Sequence, residues 1–400
     1  MKPGWKTEPL GELCEFQRGL TYAKGDEAEI SNNVVLRATN IDLKTNLLDL
    51  TELKYISDKV AVPDSKKVKK DSLMICTASG SKSHLGKVAY IDDDYEYAFG
   101  GFMGMITPKN GLVSKYLFHL MTSDAYKDFI GELSDGANIN NLKFDDLKKF
   151  QVPHPKPDEQ KRIVAILDEA FEGVTAAKAA AEKNLQNARA LFESYLQSVF
   201  TQRGAGWTEK RLEQIGTTQT GSTPKTVERE NYGSFIPFVK PADFNSDGSL
   251  DYENDGLSEK GLAEARKIAA DSVLMVCIGA TIGKCGYCER DITTNQQINA
   301  LTPFKNVSYK FIYYQMLTED FQRRMLLSSA QATLPIINKS KWSALMVVVP
   351  PRLEEQKRIA ARFDDLRAET QRLESIYQRK LVALEALKKS LLYQAFSSNL

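Results

Sequence analysis

Glu159-Gln160-Lys161-Arg162-Ile163 and Glu355-Gln356-Lys357-Arg358-Ile359 are one pentapeptide used twice, each shortly after a Val-Pro pair (Val152-Pro153 and Val349-Pro350). From these boxes the two stretches align without a gap to Phe200 and Phe396. Apolar residues recur in steps of three and four: Ile163, Ile166, Leu167, Val174, Ala181, Leu185, Ala188, Phe192, Tyr195 and Val199 in the first stretch, Ile359, Phe363, Leu366, Leu373, Tyr377, Leu384, Leu387 and Leu391 in the second. That period predicts an amphipathic helix with a coiled-coil-like seam in each. Acidic residues fill both first turns (Asp158 and Glu159; Glu354 and Glu355), where the helix dipole favours them. At ~1.5 Å per residue each helix is about 60 Å long. A lone helix of that length with one apolar stripe needs a partner, and the matching stripe is the other copy. The short join at 201–206 favours antiparallel pairing.

Working outward, the repeat extends over the whole chain. Gly4-Trp5 answers to Gly206-Trp207, and Leu10 and Leu13 to Leu212 and Ile215. Asp71-Ser72-Leu73-Met74-Ile75-Cys76 matches Asp271-Ser272-Val273-Leu274-Met275-Val276-Cys277 with one insertion. Gly86-Lys87 followed by Tyr90 matches Gly283-Lys284 followed by Tyr287, and Thr107-Pro108 matches Thr302-Pro303. A period of about 200 residues is far longer than a solenoid unit, so the copies are whole domains. The expected organisation is a first globule at 1–150, a long helix at 151–200, a second globule at 201–348 and a second long helix at 349–400. Short β-branched runs at 34–37, 73–77, 87–91, 236–239, 273–278 and 344–349 predict strands, and 115–121 and 310–317 predict one helix per globule. The fold class expected is α+β: two strand-rich mixed globules joined by two long helices packed as an antiparallel coiled coil, with a pseudo-two-fold internal repeat.

Composition is that of an ordinary globular chain: 400 residues, 42% apolar, 26% charged, net charge +1. No apolar run reaches the length of a membrane span and no leader is read at the N-terminus, so a cytoplasmic location is expected. Near-neutrality does not advertise a nucleic-acid binder; any contact with phosphates must come from local clusters of Lys and Arg or from partner chains. Cys285 and Cys288 have the gap of a metal pair, but only Cys277 is near, and the three histidines lie in the other half. A tetrahedral site needs four ligands, so these thiols read as structural.

Together the twice-used box, Gly221-Ser222-Thr223-Pro224 followed by Ile236-Pro237-Phe238-Val239, and Thr294-Asn295-Gln296-Gln297 before Leu301-Thr302-Pro303 resemble the specificity subunits of type I restriction–modification systems, over essentially the whole chain. The resemblance implies that each globule is a target-recognition domain reading one half of a split, asymmetric site in double-stranded DNA. It implies that the helix pair sets the spacer and docks two methyltransferase subunits, and that two restriction subunits complete the complex. In the first copy Gly19-Leu20-Thr21-Tyr22 and Ala98-Phe99-Gly100-Gly101 replace the Gly-Ser-Thr-Pro and Asn-Gln-Gln segments, as two different half-sites require. A tandem protein-interaction scaffold without DNA contact is the alternative.

Catalysis is not expected in this chain. Pro350-Pro351 follows Val349 rather than the Asn or Asp of an amino-methylase motif, and neither a Gly-x-Gly-x-x-Gly nor a Gly-Lys-Ser/Thr phosphate loop occurs. Pro157-Asp158, Glu159 and Lys161 superficially suggest a nuclease, but the second copy carries Leu353-Glu354 there, which a helix start explains and metal catalysis does not. S-adenosylmethionine, ATP and Mg are expected in partner subunits. Side chains suited to base edges and phosphates are Arg18, Lys24, Arg37, Asn40, Ser79, Ser81, Lys82, His84 and Lys87 in the first globule, with the basic run Lys66, Lys67, Lys69 and Lys70. In the second they are Thr220, Ser222, Thr223, Lys225, Lys240, Asp243, Thr281, Lys284, Asn295, Gln296 and Gln297.

Overall fold

The structure, a computed structural model, describes residues 4–42, 44–80, 84–135, 141–329 and 335–397. It divides into two compact units, Met1–Ala181 with Lys380–Leu400, and Glu182–Arg379. The long helices Pro157–Gln202 and Leu353–Phe396 each contribute to both units.

In the first unit a four-stranded antiparallel sheet runs in the order Cys14–Arg18, Met103–Pro108, Ser72–Cys76, Val88–Ile91. A smaller mixed sheet places Glu27–Ala28, Lys54–Ile56, Asn33–Leu36 and Ala98–Phe99 side by side, the last two parallel. Lys6–Pro9 pairs antiparallel with Gln151–His154, so the start of the copy is tied to the segment that enters the long helix. Ser72–Cys76 is buried along its whole length, as a central strand covered on both faces must be. Leu73 and Ile75 face the helices Ser114–Leu120 and Asp124–Asp135, while Met74 and Cys76 face the second sheet.

The second unit repeats this plan. Gly216–Thr220, Ile298–Pro303, Ser272–Val276 and Cys285–Cys288 form its antiparallel sheet. Gly256–Leu257, Tyr232–Val239, Ile292–Thr294 and Lys267–Ile268 form the mixed one, with Tyr232–Val239 parallel to Ile292–Thr294. Thr208–Arg211 pairs with Met346–Val349. Two readings of the sequence need correcting. The Asp-Ser strands align without an insertion: Leu73 pairs with Ile106 as Val273 pairs with Leu301, so Thr77 answers to Cys277, and the extra residues of the first copy lie in the loop before Gly86. Aligning the cysteines had forced the gap. Each globule also carries two helices there, not one: Asp124–Asp135 and Glu319–Ser328 follow Ser114–Leu120 and Tyr309–Met316 after a short break.

The shared pentapeptide has a structural explanation. Gln160 is fully buried; its Oε1 accepts from Val113 N–H at 2.8 Å and its Nε2 donates to the carbonyls of Gly111 (2.9 Å) and Pro155 (2.8 Å). Gln356 does the same with Ser308 N–H (2.8 Å) and the carbonyls of Asn306 (3.2 Å) and Pro350 (3.0 Å). One buried amide thus satisfies three backbone groups where helix, loop and strand meet, groups that no regular ladder serves. Trp207 Nε1 donates to Glu355 at 3.0 Å, which gives the box glutamate a partner at the start of the copy. A second clamp recurs: Asp168 accepts from Lys115 (2.9 Å) and bonds His119 Nε2 (2.8 Å), and Asp364 accepts from Lys310 (3.1 Å) and Tyr314 (2.6 Å). The hydrogen bond from His119, and then that from Lys115, hold the Asp168 carboxyl below the usual carboxylate range.

Within each unit the helices run antiparallel. In the first, Lys178 pairs with Glu385, Lys388 lies over the Phe171 ring at 5.2 Å, and Ile163 and Leu167 share a core with Leu392 and Ala395. In the second, Arg189 pairs with Glu374 at 2.9 Å, Arg367 lies over Phe192 at 5.3 Å, and Phe200 stacks on Phe363 at 5.8 Å. When the two boxes are superposed, Lys178 answers to Glu374, Glu385 to Arg189, Phe171 to Arg367 and Lys388 to Phe192. The same places are used in both units with the chemistry exchanged between helices.

Candidate nucleic-acid interface

The two motifs singled out in the second copy are brought together at one end of its antiparallel sheet. Gly221 follows the strand Gly216–Thr220 and sits so close to the loop after Ile292–Thr294 that a Cβ there would lie 2.1 Å from Thr294 Oγ1 and 2.3 Å from the Asn295 carbonyl. Only glycine permits that approach. Ser222 N–H donates to Thr294 C=O (2.9 Å), Thr223 Oγ1 donates to Gln296 Oε1 (2.6 Å), and Thr220 Oγ1 donates to Asn299 (2.7 Å). Asn295 Nδ2 donates to Gln297 Oε1 at 2.9 Å, so the Asn-Gln-Gln loop is held by its own amides. Thr223 and Gln296 remain exposed, offering hydroxyl and amide groups outward.

The first copy builds the same frame from different residues. A Cβ on Gly19 would lie 1.9 Å from the Gly100 carbonyl, and Leu20 N–H donates to Phe99 C=O at 2.7 Å, as Ser222 does to Thr294. The parallel strand pairs fix the register: Ala98 and Phe99 against Val35 and Leu36, Thr293 and Thr294 against Phe238 and Val239. Arg37 therefore answers to Lys240, Asn40 to Asp243, and Phe102 to Gln297. In this copy the frame borders a groove of about 580 Å³ that gathers Lys24, Arg37 and Ser79 with Thr21, Tyr22 and Phe102.

Several nominated side chains are turned inward. Asn40 is buried; its Oδ1 accepts from Arg37 N–H (2.8 Å) and its Nδ2 donates to the carbonyls of Asp49 and Glu52 (2.9 and 2.8 Å). Asp243 repeats that role, accepting from Lys240 N–H (2.6 Å) and Asn254 Nδ2 (2.9 Å). The Lys87 ammonium is buried against the Ile41 carbonyl, and burial pulls its pKa below the usual lysine range. Lys284 reaches the Pro241 carbonyl at 3.4 Å, in the same 3-10 turn but three residues before the counterpart of Ile41. These residues shape the turns that carry the basic side chains beside them.

Outward-facing candidates differ in how committed they are. Lys240 is paired with Asp255 at 2.7 Å and Lys225 with Glu228 at 3.1 Å. In the basic run, Lys66 donates to the Arg18 carbonyl (2.7 Å) and Lys67 is shared between Asp64 and Glu96, whereas Lys69 and Lys70 are exposed with no carboxylate in ion-pair range among the described residues. Arg18 is exposed and lies over Phe144 at 5.6 Å, and Thr281 is exposed at a turn. Ser79 and His84 are half-buried in the loop after Ser72–Cys76; Ser81 and Lys82 lie outside the described residues.

Two residues escaped the sequence reading. Arg266 is exposed and ties the second interface together: its backbone N–H donates to Ser222 Oγ (3.0 Å) and its Nη1 to the Thr220 carbonyl (2.9 Å). No motif surrounds it. Phe102 stands 73% exposed in the first interface; its counterpart Gln297 was nominated, so superposing the copies residue by residue would have found it.

Cys285 and Cys288 lie on one strand three residues apart and so point to opposite faces, the first into the core under the helices and the second into the core between the sheets. They cannot converge on one ion. Burial pushes the Cys288 thiol up to about 11 and the Cys277 thiol to about 12.

The model of the type I restriction modification DNA specificity domain matches this chain twice, over residues 2–186 and 205–380. The chain belongs to that family. Its two matched segments coincide with the two copies of the frame just described, so this specificity chain carries two target-recognition copies. The specificity subunit of the type I restriction enzyme StySPI of Salmonella potsdam is 25% identical over 430 residues, covering 99% of this chain and 89% of that one. The EcoKI specificity subunit of Escherichia coli K12 is 33% identical over 183 residues, 45% of this chain and 39% of its own length. Two solved structures share the fold. The HsdS subunit from Thermoanaerobacter tengcongensis has a TM-score of 0.66 at 19% identity, covering 100% of this chain and 98% of its own. A chain solved to explain complex assembly and conformational transition of the type I R-M system has a TM-score of 0.77 at 20% identity, covering 100% and 99%.

Proposed function

We propose that this chain is the non-catalytic specificity subunit of a type I restriction–modification complex, in which each copy reads one half of a split DNA site. The observation that carries this is the combination of a repeated frame with a changed rim. Gly19 and Gly221, Thr21 and Thr223, Arg37 and Lys240 keep their places, while Leu20, Tyr22 and Gly100-Gly101-Phe102 give way to Ser222, Pro224 and Asn295-Gln296-Gln297. A frame held constant positions DNA; a rim that differs reads different bases.

The features that do not differ fit a partner present twice. The clamps at Lys115, Asp168 and Lys310, Asp364, with the exposed box lysines Lys161 and Lys357, recur in both copies. We assign this face and the helix pair to two methyltransferase subunits, with the helices setting the unread spacer and two restriction subunits completing the assembly. S-adenosylmethionine, ATP and Mg then act in those partners, and the complex works in the cytoplasm; among the described residues no helix is long and apolar enough to cross a membrane. Near-neutral charge fits a reader that borrows its electrostatic clamp from partners. The test is to purify the chain with its cognate methyltransferase and map adenine methylation on a randomised DNA library. A two-part motif with an unread spacer is expected. Assembly without any selected motif would leave the scaffold alternative.

A further inference from the structure

We propose that Arg37 and Phe102 are the specificity-determining pair of the first copy, with Arg37 taking the acceptor-rich edge of a guanine and Phe102 packing on the neighbouring base. This rests on the DNA-reading function proposed above and names the residues and base chemistry of one half-site.

Phe102 is exposed without being loose. Its carbonyl accepts from Thr77 N–H, Ala78 N–H and Thr77 Oγ1 at 2.9, 3.1 and 3.0 Å, so the backbone that presents the ring is held by three hydrogen bonds from two adjacent residues. An aromatic side chain that stays 73% exposed on a rigid support gains nothing for the fold from its burial. Gly101 precedes it, and a Cβ there would meet Thr21 Oγ1 at 3.2 Å, so the absence of a side chain keeps the groove open beside Thr21.

Arg37 supplies the polar half of the same groove. Its Nε is buried and has no hydrogen-bond acceptor among the described residues. A buried guanidinium donor left unmatched is costly; the atom is closed to solvent as it stands, so an acceptor entering the groove would complete it through a small turn of the Arg37 side chain. Its counterpart Lys240 is ion-paired with Asp255 at 2.7 Å, whereas in the first copy the groove carboxylate, Glu27, is paired with Lys54 and Arg37 Nε is left without an acceptor among the described residues. Arginine pairs with guanine O6 and N7 in the major groove, and apolar rings pack on thymine methyls or base faces. The two side chains together match a guanine beside a thymine better than they match a phosphate, which would need no aromatic.

A protein partner is the competing occupant of an exposed ring. The register argues against it: the equivalent position is Gln297, and a surface made for two identical subunits would be repeated, as the lysine–aspartate clamps are.

The experiment uses the full chain assembled with its methyltransferase subunits and S-adenosylmethionine, acting on a duplex library randomised across both half-sites. Arg37→Gln is expected to relax the preference for guanine at one position of one half-site by at least about fivefold, the low end for a bidentate contact. Phe102→Ala is expected to relax the adjacent position to a similar extent, with Phe102→Leu retaining most of the preference; the other half-site and the spacer stay unchanged in all three. Phe102 lies on the surface, so thermal unfolding of its variants should match the parent, which separates altered reading from misfolding. Unchanged half-site preferences, equal loss at both half-sites, or loss of methyltransferase assembly with base preference intact would each overturn the inference. If the parent complex selects no split site, the DNA-reading function itself falls and takes the inference with it.

Discussion

Gln356→Ala removes one side chain and strands three backbone groups. The parent amide accepts from Ser308 N–H and donates to the carbonyls of Asn306 and Pro350, at a site 1% exposed. An unsatisfied buried polar group costs about 1–3 kcal/mol. The N–H has a single hydrogen to place and carries the larger share, while a carbonyl tolerates partial satisfaction better. Allowing a water into part of the vacated volume, the sum is about 3 kcal/mol. For a unit of roughly 200 residues each kcal/mol moves the melting temperature by about 2–4 °C, so the variant should melt about 6–12 °C lower. The control is Lys357→Ala, one residue along and exposed, expected within ~0.5 kcal/mol of the parent. Gln356→Glu adds a sharper test. Its carboxylate keeps the bond from Ser308 but turns a second oxygen toward two carbonyls, so burial and repulsion raise its folded pKa above the unfolded value of about 4.3. A group raised in this way stabilises the fold below its unfolded pKa and loses that contribution as pH rises through the folded one. Calorimetry should therefore find Gln356→Glu closest to the parent near pH 4 and weakest at neutral pH. If Gln356→Ala and Lys357→Ala melt together, the amide is not the staple described.

Asp168 gives the opposite sign. His119 and Lys115 lower its folded pKa, so its contribution is present above the unfolded value of about 3.9 and lost as pH falls through the folded one; Asp168→Asn should flatten acid unfolding over that window. Arg189→Glu should destabilise by about 0.5–1 kcal/mol, and adding Glu374→Arg should recover most of it in a double-mutant cycle, the small size reflecting solvent screening of an exposed pair. Gly221→Ala would force a methyl against Thr294 and the Asn295 carbonyl, and methylation mapping should show the preference of one half-site lost while the other persists; equal loss of both would contradict separate reading by the two copies.

The long helices and the duplication were legible because both write themselves into period and repetition: the seam residues and the two boxes are local patterns that no tertiary context overrides. The motifs around Gly221 and Asn295 were distinctive in the sequence, but that they meet was visible only in the fold. Side-chain direction was not legible either. Asn40 and Arg37 are three residues apart and equally polar, yet one caps a turn from inside and the other lines a groove, a difference set by a 3-10 turn that the sequence does not announce. Lys87 stood among the candidates because lysine suits phosphates, with a structural turn position shared with Lys284 as the alternative; in the structure its ammonium is turned inward onto the Ile41 carbonyl. Phe102 was passed over because base-edge candidates were sought among polar side chains, and its exposure is visible only in the structure.

The exchanged chemistry along the helices makes them complements rather than copies. Lys178, Arg189, Phe171 and Phe192 stand on the first helix, Glu385, Glu374, Lys388 and Arg367 on the second. A freshly duplicated segment is self-matching, and any two of its helices associate alike. Here two first helices laid antiparallel would set Lys178 against Arg189, and two second helices would set Glu374 against Glu385 and Arg367 against Lys388. Each charge clash costs only a few tenths of a kcal/mol, and since two first helices would set Phe171 against Phe192 without penalty, the preference rests on the charges. The seam is asymmetric in its charges, which favours the pairing of the first helix with the second over the pairing of either with its own like.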